Sequence, residues 1–78
     1  METVVHLFGS LRRLSRPDTP GQTRVRLPAG SDIRDLLRRM QIEEKIVMAS
    51  AVNGRACTLE KKIMETDEVY LITQLGGA

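Results

Sequence analysis

With 78 residues, 41% of them apolar and 28% charged, the chain has the composition of a small soluble globular domain and is too short to wall in a deep catalytic cleft. One cysteine, Cys57, excludes an internal disulfide and a four-cysteine iron–sulfur centre; with a single histidine, His6, a Cys/His zinc site is excluded too. The net charge of +2 is uneven, with eight arginines against four acids in residues 1–42 and four basic residues against six acids in residues 43–78.

Residues 3–8, Thr-Val-Val-His-Leu-Phe, are β-branched and apolar and stop at Gly9, which predicts a first strand. Alternation puts Val5 and Leu7 on one face and Val4, His6 and Phe8 on the other, so both faces are partly covered. Residues 10–22 hold Pro17, Pro20 and Gly21 and read as a loop carrying Arg12, Arg13 and Arg16. Residues 23–27 alternate as a half-buried strand, with Val25 and Leu27 inward and Arg24 and Arg26 outward. Residues 31–40 form the clearest helix: Ser31 is the expected N-cap, and Ile33, Leu36, Leu37 and Met40 make one apolar stripe. In that register the third helical position is Arg34, so no capping box is expected, and Asp35 pairs with Arg39 one turn on.

Residues 46–52 predict a third strand. Asn53-Gly54 follows as a tight hairpin turn, and residues 55–58 are the returning strand. Residues 59–64 fit either a loop or a short helical turn with Leu59 and Ile63 on one face. Thr66-Asp67-Glu68 turns into a last strand over residues 69–73, after which Gln74-Leu75-Gly76-Gly77-Ala78 has no regular pattern. The order β-β-α-β-β-β, without repeat or linker, predicts one α+β domain over residues 1–78 with a flexible tail at 74–78. Glu2 stands where a signal peptide carries positive charge, and no apolar stretch is long enough for a membrane span. A cytoplasmic protein is expected.

The chemistry points to that tail. Glycine has no side chain and ranges widely in φ and ψ, so Gly76-Gly77 can thread a narrow channel in a partner enzyme. A glycyl carboxyl is unhindered, and therefore open to adenylation and then to attack by sulfur or nitrogen. The domain would serve as a handle for a reactive end group, not as an enzyme.

Leu7-Phe8-Gly9-Ser10-Leu11-Arg12, the helix after Ser31, Ala51-Val52-Asn53-Gly54, Asp67-Glu68-Val69-Tyr70-Leu71 and the diglycine together resemble the ubiquitin-like β-grasp sulfur carriers of the MoaD/ThiS type, over essentially the whole chain. In length and in its Phe8…Leu11-Arg12 spacing the chain is more similar to the small subunit of molybdopterin synthase than to the shorter thiamine-pathway carriers. The resemblance implies a mixed sheet of four to five strands on one main helix. It also implies activation of Gly77 as an adenylate and then a thiocarboxylate, with Leu75 and Gly76 threading the partner's active site. Implied partners are a ubiquitin-activating-type adenylyltransferase, which uses ATP, and the large subunit of molybdopterin synthase or an equivalent acceptor. No cofactor is expected to be bound. Ala78 departs from the family pattern, because an amide at Gly77 cannot be adenylated; trimming by a protease is therefore expected. A protein modifier and a plain binding module are the alternatives.

The remaining residues have plainer readings. Cys57 reads as a small buried hydrophobe and His6 as a structural histidine. The arginines read as a solvated face or as a docking surface for acidic partners, with Arg12 and Arg13 the candidates beside Phe8 and Tyr70. Without an aromatic pair to stack bases, nucleic acid is not an expected partner, and neither is a membrane. Val4, Phe8 and Tyr70 either fill the core or form an exposed docking patch.

Overall fold

The computed structural model describes residues 1–73; the tail residues 74–78 lie outside it. Five strands form one mixed sheet: β1 (Glu2–Phe8), β2 (Gln22–Arg26), β3 (Val47–Val52), β4 (Arg55–Cys57) and β5 (Glu68–Thr73), in the order β2-β1-β5-β3-β4. Helix α1 (Ile33–Met40) covers one face. This is the α+β, β-grasp architecture expected, with each predicted strand present to within a residue or two.

The pleat explains which residues go inside. On β1, Thr3, Val5 and Leu7 point inward; on β5, Val69, Leu71 and Thr73 do the same. They meet the helix stripe Ile33, Leu36 and Leu37, all buried, with Met40 half-buried at its end. Leu11, Leu27, Ile42, Val52 and Ile63 close the core. It is aliphatic throughout, as the scarcity of aromatics requires.

The helix begins one residue later than expected. Asp32 is the N-cap, accepting from the backbone N–H of Asp35 at 2.9 Å, and Asp35 accepts from the backbone N–H of Asp32 at 3.1 Å. A reciprocal capping box therefore exists, because the later start makes Asp35 the third helical residue. Ser31 instead donates its hydroxyl to the Pro28 carbonyl at 2.7 Å. Asp35 pairs with Arg38 at 3.4 Å and not with Arg39, its carboxylate being turned towards the cap.

Residues 59–64 take the loop alternative, for a reason outside their own sequence. The carbonyls of Lys61 and Leu59 accept from the N–H groups of Ile33 and Arg34 at 3.1 and 3.0 Å, while Ile63 donates to the Ser31 carbonyl at 2.8 Å. With the capping box, all four donors at the helix start, Asp32 to Asp35, find partners. Arg34 reinforces this junction, lying 3.0 Å from Glu44 and 2.9 Å from Glu60; these carboxylates hold its guanidinium more firmly protonated.

The predicted loop after β1 is also more ordered than expected. Residues Gly9–Leu14 form a 3-10 helix because Leu11, fully buried, pins that turn to the core. At the hairpin, Asn53 (φ 54°) and Gly54 (φ 84°) both adopt the left-handed conformation that the sequence called for.

Two predictions concern stability. Thr3 is fully buried, and its hydroxyl has no partner among the described residues. Thr3→Val keeps the shape and removes the orphan group, so it should raise the unfolding free energy by about 1 kcal/mol in urea titration. The Asp32 carboxyl is held below its ordinary pKa of 3.8, chiefly by the Asp35 N–H, so its charged cap is complete above pH 4 and is lost as pH falls through the lowered value. Asp32→Ala should cost about 1 kcal/mol at neutral pH. The deficit should shrink in acid, where the cap loses its charge but keeps an acceptor oxygen, and Asp32→Asn should largely restore stability.

Candidate docking face and tail root

Side chains opposite to the core form the other face of the sheet. Strand β1 places Val4, His6 and Phe8 there, β5 places Glu68, Tyr70 and Ile72, and β3 places Ala49 and Ala51. The register aligns them in rows: Phe8 beside Ile72 beside Ala49, then His6 beside Tyr70 beside Ala51. The rings form a short stack, with His6 and Tyr70 centroids 4.4 Å apart at 10° and Phe8 and Tyr70 6.4 Å apart at 19°.

This face is only partly covered. Phe8 is 45% exposed and Ile72 39%, and Met48, at the irregularity where β3 departs from β5, is 68% exposed. Of the three residues expected as core filling or patch, Phe8 is open while Val4 and Tyr70 are half-buried. Sequence reading missed Ile72, although it lies two residues beyond Tyr70 on one strand face. The apolar rows give way to charge at the far end, where the His6 Nε2 lies 2.6 Å from Glu68 and Arg24 lies 3.5 Å from Glu2.

The apolar end of the face is also where the tail starts. Strand β5 ends at Thr73, one peptide bond before Gln74. The Thr73 hydroxyl accepts from the Ser10 backbone N–H at 2.9 Å, lies 3.1 Å from the Ser10 hydroxyl, and donates to the Phe8 carbonyl at 3.2 Å. Gly9 sits against it at φ 68°, and a Cβ there would lie 2.5 Å from the Thr73 Oγ1 and 2.6 Å from its carbonyl oxygen. Only glycine fits this position. Nothing in the sequence assigned a role to Gly9, Ser10 or Thr73; the one available signal was a hydroxyl where the alternation of β5 calls for an aliphatic residue. Arg12 and Arg13 follow on the 3-10 turn, both exposed, the Arg12 guanidinium lying near Gly21 and Arg13 donating to the Ser10 carbonyl at 3.3 Å. Leu75, Gly76 and Gly77, the expected reactive segment, and Ala78 lie outside the described residues.

The other motif residues brace the fold. Asn53 donates its side-chain amide to Asp67 at 2.8 Å and accepts from the Glu68 N–H at 2.9 Å, while Asp67 also accepts from the Met64 N–H at 2.8 Å. The hairpin and the start of β5 are thereby tied together. Cys57 is half-buried against the core, with Ser50 donating to its carbonyl at 3.0 Å. Among the described residues no helix is long and apolar enough to cross a membrane.

Comparison with known proteins places this geometry. The model of the ThiS family matches residues 5–77. No curated protein matches the chain significantly. Among solved structures, SAMP1 from Haloferax volcanii superposes with a TM-score of 0.73 at 17% identity, covering 100% of both chains. A putative molybdopterin converting factor, subunit 1, from Pyrococcus furiosus gives 0.69 at 22% identity over 96% of this chain and 99% of that one. A complex of subunits 1 and 2 of molybdopterin-converting factor from Helicobacter pylori 26695 gives 0.59 at 18% identity, covering 100% of both chains. At these identities the likeness is one of fold.

The two faces of β5 should respond differently to substitution. Phe8→Thr and Ile72→Thr should each change the unfolding free energy by less than about 1 kcal/mol. Leu71→Ala, one residue from Ile72 but fully buried, should cost about 2–5 kcal/mol. Denaturant titration of the three variants checks the assignment.

Proposed function

This chain belongs to the ThiS family of small ubiquitin-like carrier proteins, and from that premise we propose that it is a sulfur carrier working through the carboxyl group of Gly77. The observation that carries the reading is where the family match stops. It runs from Val5 through the rest of the folded body and ends on the second glycine, before Ala78.

The chemistry follows from an unhindered acyl end. A carboxylate oxygen of Gly77 attacks the α-phosphorus of ATP in a partner adenylyltransferase, and pyrophosphate leaves. A sulfide equivalent then attacks the acyl carbon, AMP leaves, and a thiocarboxylate remains. The amide to Ala78 must be hydrolysed first, by a protease, because an amide offers no carboxylate oxygen. Leu75 and Gly76 thread the partner's channel, which narrows at position 76, where a side chain would block entry. The chain itself supplies the handle: the Phe8, Tyr70 and Ile72 face for docking, with Arg12 and Arg13 on the 3-10 turn after β1 as further candidates for an acidic partner. The acceptor is the large subunit of a molybdopterin synthase or an equivalent enzyme, a reading supported by the fold likeness to subunit 1 in the Helicobacter pylori complex.

The likeness to SAMP1, described as a small archaeal modifier protein, favours one second reading, in which the same activated Gly77 acylates amines on target proteins. The attached product separates the two.

Intact-mass analysis of the full chain recovered from its host should show loss of Ala78 and replacement of one oxygen by sulfur at Gly77. Larger isopeptide-linked species would establish the modifier reading instead, and a chain that keeps Ala78 and is never activated would defeat both. Replacing Gly76 and Gly77 by valine should abolish activation without altering stability. Phe8→Asp should weaken binding to the adenylyltransferase by about 10-fold or more.

A further inference from the structure

Building on the carrier reading, we infer that Thr73 is a positioning residue: clamped by Gly9 and Ser10, it sets the direction in which the chain leaves the sheet towards Gly77.

The position of Thr73 is unusual for its residue type. It faces the core, in line with Val69 and Leu71, and is 3% exposed. An aliphatic side chain would serve the core there, and a hydroxyl in that place is tolerable only when hydrogen-bonded. Here the hydroxyl has three partners, the Ser10 N–H, the Ser10 hydroxyl and the Phe8 carbonyl, at the end of β1 and the start of the 3-10 helix that follows it. The backbone at Thr73 is confined as well. Gly9 packs so closely on its carbonyl that no side chain fits between them. The bond that continues the chain therefore starts from a carbonyl packed against the Gly9 backbone, on a residue whose side chain is held by Ser10 and Phe8.

A fixed start matters because the reacting carbon is remote. Gly77 lies four residues beyond Thr73, a span of at most about 14 Å. A fixed root therefore sets where that span begins, and with it how far from the docking face Gly77 can reach. Misplacement by about 1 Å is enough to cost a reaction about 100-fold. The clamp also shares its strands with the docking face, since Phe8 precedes Gly9 and Ile72 precedes Thr73. A partner that grips Phe8 and Ile72 thus meets the tail at a set offset from its grip.

A positioning role predicts a loss in turnover without a loss in docking. The test uses carriers encoded as the full chain and processed in the host, with ATP–pyrophosphate exchange by the host's adenylyltransferase as the assay. Thr73→Val keeps the shape of the side chain and removes the hydroxyl. It should lower kcat by about 10-fold or more and leave KM within about 2-fold. Loss of those hydrogen bonds should lower its thermal midpoint by about 5–10 °C, and the assay is run well below that midpoint. Thr73→Ser, which restores the hydroxyl, should recover kcat to within about 3-fold of the parent. Ser10→Ala, which leaves the backbone donor in place, should show a smaller loss than Thr73→Val. Unchanged kcat in Thr73→Val, a loss confined to KM, or failure of Thr73→Ser to rescue would each overturn the assignment while leaving the carrier reading intact. If the parent chain supports no exchange at all, the carrier reading falls and the role of Thr73 falls with it.

Discussion

The parallel pairing of β1 with β5 is the constraint on which the rest of this molecule depends. Val4 to Phe8 run alongside Glu68 to Ile72 in register, joining the two ends of the sequence at the middle of the sheet. Parallel neighbours need a crossover, and the intervening chain with α1 supplies it, laying the helix stripe across Val5, Leu7, Val69 and Leu71. The same pairing stops both strands at one edge. The end of β1 therefore touches the last residue before the tail, which no local feature of either segment demands.

The sheet is used on both sides, and the pleat divides the labour. Inward residues of β1 and β5 are aliphatic and buried, and they hold the domain together. Outward residues on the same strands are aromatic, branched or charged, and only partly covered. Phe8, Tyr70 and Ile72 gather beside the tail root, while His6, Glu68, Glu2 and Arg24 gather at the far end. A partner meeting this face finds its apolar part where the reactive segment begins, which suits a protein whose body is recognised and whose end is acted upon.

Much of what looks like signature in the chain serves the fold. Asn53 and Asp67 tie the hairpin to the start of β5, and the segment around Leu59 to Ile63 feeds carbonyls to the helix N-terminus in place of a helical turn of its own. Those residues satisfy backbone donors and acceptors that a domain this small can ill spare. The described body thus carries the proposed docking face, and the proposed reaction belongs to the diglycine after it.

The strands, the helix and the hairpin were legible in the sequence because each rests on local rules. Alternation separates Val5 and Leu7 from His6 and Phe8, helical spacing collects Ile33, Leu36 and Leu37, and Asn-Gly dictates its turn. The role proposed for the diglycine likewise rests on the sequence, through the absence of side chains. Tertiary structure alone decided the rest, because each case turns on a partner distant along the chain. The helix start moved to Asp32 since Leu59 and Lys61 take up the next two donors. Residues Gly9–Leu14 coiled because Leu11 reaches the core. Gly9, Ser10 and Thr73 came together only when the fold brought Ser10 within hydrogen-bonding reach of Thr73, 63 positions further along the chain. Local periodicity reports on neighbours a few residues away, and a contact across that separation leaves no trace in it.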